Sequence, residues 1–110
     1  MNDKQLHELA AHAAGYKVSC LPISASPGYL YGFISWTDGG AWGPLHYDAD
    51  AFRLMVDLGL NVFFVNGKAY AMDSESDHEQ QVEIGNDKYA AMRRAILLCA
   101  ASIGKQMGDV

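Results

Sequence analysis

Apolar and polar positions along the chain divide it into three helical and four or five extended segments. Leu6, Leu9, Ala10 and Ala13 recur at the spacing of one helix face, which predicts a first helix over Asp3–Ala14. Asn2 or Asp3 is placed to accept from the free amides of its first turn, and Gly15 to end it. Residues 18–23 and 29–36 read as strands, with Pro22 marking an edge or bulge and 24–28 a turn. In the second strand Tyr29, Tyr31, Phe33 and Ser35 share one face, and Leu30, Ile34 and Trp36 the other.

After a turn at 37–40, residues 41–45 continue extended, because the residue before Pro44 avoids helix. Asp48 is expected to cap a second helix over 48–58, with Phe52, Met55 and Val56 facing the core and Gly59 ending it. Asn66-Gly67 between the β-rich runs 61–65 and 68–72 predicts a two-residue hairpin, since both turn residues must tolerate positive φ. The unbroken apolar run from Val62 to Val65 predicts a strand buried on both faces. A short strand at 82–84 precedes the longest helix, from Asn86 or Asp87 to about Gln106. Its expected core stripe is Tyr89, Met92, Ile96, Cys99, Ala100 and Ile103.

The order α-β-β-α-β-β-(β)-α predicts an α+β fold: a single, mainly antiparallel sheet of four to five strands with three helices on its two faces, like an α-β-α sandwich. At 110 residues, half of them hydrophobic, the chain fits one domain over 1–110 with a core of its own. The net charge of −5 disfavours membrane surfaces and general nucleic-acid binding. Two cysteines, Cys20 and Cys99, in apolar patterns point to buried free thiols in a reducing compartment. With no apolar leader and no spanning stretch, a cytoplasmic protein is expected.

Candidate chemistry is sparse. His7 and His12, five apart, diverge too far to share a metal and read as surface histidines. Asp73, Glu75, Asp77 and Glu79 alternate as in calcium loops but lack the required glycine and terminal glutamate, which leaves a solvated acidic loop able to dock a basic partner. The glycine-rich 39–43 has no phosphate-binding lysine and reads as a turn seating Trp42 and Leu45 on the core. Arg93 is expected at the edge of the last helix's stripe, its stem covering apolar surface, and Arg94 in solvent. No catalytic residue, metal ligand or cofactor motif is assigned.

Trp42-Gly43-Pro44-Leu45, then Asp48-Ala49-Asp50-Ala51-Phe52-Arg53-Leu54 and Leu58-Gly59-Leu60, resemble a set of small phage and prophage proteins. So do 87–96 with Ile103-Gly104, and the N-terminal Leu6-Glu8-Leu9-Ala10-Ala13-Ala14-Gly15. Residues 18–36 and 73–81 carry no such likeness, and Ala49 stands where typical members have glycine. The resemblance implies an α-β-α sandwich and no assigned activity. With the small size and the absence of catalytic motifs, it points to a non-enzymatic phage or prophage accessory protein that binds a host or phage protein; inhibition of a bacterial defence complex such as a CRISPR effector is one role open to such a protein, and no residue specifies it. The contact surfaces expected are the loop holding Trp36, Trp42, His46 and Tyr47, and the acidic loop of Asp73, Glu75, Asp77 and Glu79. The alternatives are a small-ligand or nucleotide pocket lined by Tyr29, Tyr31, Trp36, Trp42 and His46, and an enzyme using His46 and Asp48.

Overall fold

The computed structural model describes residues 2–16, 18–21, 32–35, 41–75 and 77–108, of which 18–21, 32–35 and Ala41 are described by their backbone. Helix α1 (Asp3–Ala14) starts at a capping box: Gln5 N donates to Asn2 Oδ1 at 2.8 Å, and Asn2 N donates to Gln5 Oε1 at 3.0 Å. Strands β1 (Val18–Leu21), β2 (Gly32–Ser35) and β3 (Ala41–Trp42) form an antiparallel sheet in chain order. Helix α2 (Asp48–Leu58) leads into β4 (Asn61–Val65) and β5 (Lys68–Met72), joined by Asn66-Gly67 at φ 52° and 74°. Strand β6 (Gln80–Glu83) pairs with β5, and α3 (Lys88–Met107) follows, its first amides capped by Asp87 Oδ1.

The fold is α+β with three helices and antiparallel sheets. The described strands do not make the single sheet of four to five strands expected from their number. They make two three-stranded sheets, β1-β2-β3 and β4-β5-β6. Each sheet closes by hairpin-type neighbours, and α2 carries the chain from one to the other, so nothing in the connectivity forces them to merge.

Helix α3 is the element on which α1, α2, β5 and β6 all pack. That is why it buries Ala91, Ala95, Ile96, Leu97, Cys99, Ala100, Ala101 and Gly104, more than one stripe. Tyr89, expected in its core stripe, is 63% exposed instead. The β4–β6 sheet is helix-covered on one face, not two: Ala69 and Ala71 are fully buried, while Phe63 and Val65 on the alternate face are exposed. Strand β4 is therefore an edge strand open to solvent, not a strand buried on both sides. An apolar run determines only that the strand is hydrophobic, whereas its edge position is set by pairing.

Three further expectations are corrected. Asp48 is the first residue of α2, not its cap. Tyr47 holds the cap position without a side-chain bond, and the Asp48 carboxylate reaches Arg93. The buried face of α2 is Ala51 and Leu54, backed by Met55 and Leu58; Phe52 and Val56 face solvent at 61% and 55% exposure. His7 is not on the surface. It is 4% exposed, its Nδ1–H donating to Asp3 O at 2.6 Å.

Candidate functional site

Trp42 lies inside the protein, 7% exposed, between two α1-side rings. His7 meets it edge-on at 5.8 Å and Tyr16 at 5.9 Å. Burial holds the His7 imidazole below its ordinary pKa, opposed by the Asp3 contacts. Burial and the bond to the Asp57 carboxylate raise the Tyr16 phenol above its ordinary value. Gly43 N donates to Asp50 Oδ2 at 2.9 Å, and Gly43 O accepts from His46 and Tyr47, so 43–47 is a tight turn into α2. The turn seats Trp42 in the core with Leu45 against it, and leaves His46 and Tyr47 exposed. Trp36, Tyr29 and Tyr31 lie outside the described residues, so of the expected aromatic pocket only Trp42 and His46 are placed, one buried and one exposed.

The acidic loop is more structured than a solvated run. Asp73 Oδ1 accepts from Asp77 N at 2.7 Å and His78 N at 3.3 Å. Glu75, Asp77 and Glu79 point to solvent, Glu79 accepting from Gln81 Nε2. His78 ties the loop to α3, and one tautomer satisfies both contacts: Nε2–H donates to Gln106 Oε1 at 2.6 Å, and Nδ1 accepts the Ser102 hydroxyl at 2.7 Å. A hydroxyl, an imidazole and an orienting carbonyl in line have the order of a nucleophilic triad. Ser102, however, sits within α3, whose amides around it are spent on helix bonds and form no oxyanion hole. The trio acts as a clasp between loop and helix.

A third surface gathers what the other two lack. Between α2, β4 and the first half of α3 runs a groove of about 390 Å³, lined by Ala51, Phe52, Met55, Val62, Phe64, Met92 and Ile96, among others, and almost wholly apolar. Phe52, Phe64 and Tyr89 stand around it at 61%, 49% and 63% exposure. One end is polar. Arg93 Nε donates to Leu45 O at 2.9 Å and its Nη1 pairs with Asp48 at 2.6 Å, while Lys88 lies 5.6 Å from the Tyr89 ring centre.

Sequence reasoning missed this groove because it assigned Phe52, Val56 and Tyr89 to the core. The signal that could have found it is the size contrast on α2, where Ala51 and Leu54 offer a second, closer-packing stripe beside Phe52 and Val56. Among the described residues no group of three or more His, Cys, Asp or Glu is placed to hold a metal ion, and no helix is long and apolar enough to cross a membrane. Comparison of the chain with protein-family models, with curated proteins and with solved structures finds no match in any of the three.

Proposed function

We propose that this chain is a non-enzymatic protein-binding module, a phage or prophage accessory protein acting in the cytoplasm of a bacterial host, and that it binds through the α2–β4–α3 groove. The observation that supports this is the concentration of large exposed apolar side chains: Phe52, Phe64 and Tyr89 rim one groove, with Val56 one turn along α2 from Phe52. Scattered exposed hydrophobics are ordinary, but a contiguous patch marks an interaction surface. The Arg93–Asp48 pair supplies a polar rim at one end, the pattern of a desolvating core beside a wet edge. The phage assignment rests on the sequence resemblance. Inhibition of a bacterial defence complex is one form such binding takes.

The groove volume also supports a second reading, a site for a small apolar ligand, since such pockets start at about 300 Å³. Its lining disfavours the nucleotide version, which needs more polar partners than Lys88 and Arg93.

The test compares wild type with the Phe52→Ser/Tyr89→Ser double variant in two assays: stoichiometric capture of a protein, whether host, phage or another copy of the chain, and thermal shift against a metabolite panel. Protein binding lost in the variant is the expected result. A saturable thermal shift with one compound class, abolished by the variant and with no protein bound, would replace this reading with the ligand one.

A further inference from the structure

Among the described residues, the β4–β5 hairpin leaves one side of its sheet open. In the order β4-β5-β6, the outer edge of β4 has no strand partner among the described residues. Edge strands that remain single are blunted by charge, proline or a bulge. Asn61-Val62-Phe63-Phe64-Val65 has none of these, and its register with β5 runs unbroken over five residue pairs.

The hairpin geometry says which backbone groups face outward. A two-residue turn makes Val65 and Lys68 a hydrogen-bonded pair, and bonding alternates from there. Asn61, Phe63 and Val65 therefore bond β5, and the amide and carbonyl of Val62 and Phe64 point to the open edge. An antiparallel copy of the same strand, related by a two-fold axis at Phe63, sets Val62 opposite the second copy's Phe64 and Phe64 opposite its Val62. Four backbone hydrogen bonds result, with no unmatched group between them. On the outer face the axis brings Phe63 against its own copy. Phe63 already stacks on Tyr70, with ring centres 4.9 Å apart and planes 8° from parallel, so the stack extends to four rings.

The exposed surface is concentrated where such a pairing needs it. Of the eight large hydrophobics exposed among the described residues, Phe63, Phe64 and Val65 belong to β4, and Phe52 and Tyr89 line the groove that Val62 and Phe64 share. With aromatic side chains at about 150–250 Å² each, the exposed parts of these five amount to roughly 350–600 Å² per copy, or about 700–1,200 Å² for a pair, near the ~1,000 Å² a specific interface needs. No residue of β4 carries a charge, so two copies meet there without repulsion despite the net charge of −5.

We infer that the occupant of this edge is a second copy of the chain, paired antiparallel through β4 about a two-fold axis at Phe63 to form one six-stranded sheet. This rests on the reading of the groove beside this edge as part of a protein-binding surface and names the partner.

Sedimentation equilibrium from 1 to 200 μM tests it on wild type and on Phe63→Lys, which sets two lysines together at the axis. The expected result is a wild-type dimer and a monomeric variant with an unchanged far-ultraviolet circular dichroism spectrum. A second measurement covers a variant that fails to fold: in a Cys20→Ser background, Phe63→Cys should form a disulfide-linked dimer under mild oxidation, whereas Tyr70→Cys, one strand further from the axis, should not. A wild-type chain monomeric at 200 μM, a dimer that survives Phe63→Lys, or equal cross-linking of both cysteine variants overturns the inference. If the chain is monomeric yet loses another captured protein on Phe52→Ser/Tyr89→Ser, the protein-binding reading stands and self-pairing alone falls. If it is monomeric and binds only a metabolite, both fall.

Discussion

Gly104 of α3 lies directly against the backbone of Leu9 in α1, so that a Cβ on Gly104 would fall on the Leu9 carbonyl. The obstacle is backbone, which cannot rotate aside as a flexible side chain would. Small residues around the contact, Ala10 and Ala11 on α1 and Ala100 and Ala101 on α3, are all buried. This close crossing is the main tie of α1 to the rest of the fold. Alanine is the better helix former by about 1 kcal/mol, so propensity alone makes Gly104→Ala stabilising. The crossing reverses the sign: Gly104→Ala is expected to destabilise by about 1–3 kcal/mol, read from urea denaturation.

His7 makes stability depend on pH. Its folded pKa lies below the ordinary 6.5 because burial penalises the imidazolium, with His46 adding to the effect and Asp3 opposing it. Between the two values the unfolded chain binds more protons, so stability rises with pH. The contribution is complete above about pH 6.5 and is lost as pH falls from there through the folded value. Denaturation midpoints from pH 7.5 to 5 should fall for wild type and flatten in His7→Gln.

Phe52 and Leu54 sit two residues apart on α2 and should behave oppositely. Leu54 is fully buried, and Leu54→Ala should cost about 2–5 kcal/mol. Phe52 is 61% exposed, and Phe52→Ser should change stability by under about 1 kcal/mol while weakening whatever occupies the groove. Paired thermal melts and binding assays check both halves.

Arg93 holds the turn before α2 through Leu45 O as well as through Asp48. Its side chain is 18% exposed and that of Asp48 72%, so the ion pair is screened on one side. Asp48→Asn should cost about 0–1 kcal/mol and Arg93→Ala about 2 kcal/mol, because the second also removes the donor to a backbone carbonyl. Denaturation of the two single variants and the double variant checks the difference.

Cys99 should be chemically silent. Burial pushes its thiol up to about 12, with Asp73 adding to the shift, so almost none is thiolate at pH 8. Peptide-resolved alkylation should leave Cys99 unmodified in the native protein and label it fully in denaturant.

Local chemistry decided a large part of this fold. Asn2 with Gln5 starts α1, Asn66-Gly67 forms the hairpin turn, and Gly15 and Gly59 end helices in left-handed geometry. Each is a contact or dihedral within a few residues, so the bounds of α1, β4 and β5 could be read directly. The core role of Trp42 also followed from its turn. What the sequence left open was which of two equivalent faces meets the core. On α2, Phe52 with Val56 and Ala51 with Leu54 both satisfy helical spacing, and only the approach of α3 selects the smaller pair. On β4 an unbroken apolar run suits a buried strand or an exposed edge alike, and strand order alone decides between them. His7 is similar: its polarity suggests solvent, and only the packing of Trp42 and α1 makes it interior. The candidate groove arises from those same choices, since Phe52, Phe64 and Tyr89 come together only once α2, β4 and α3 are packed. Periodicity determines that a face is apolar; the long-range packing of several elements determines whether that face is covered.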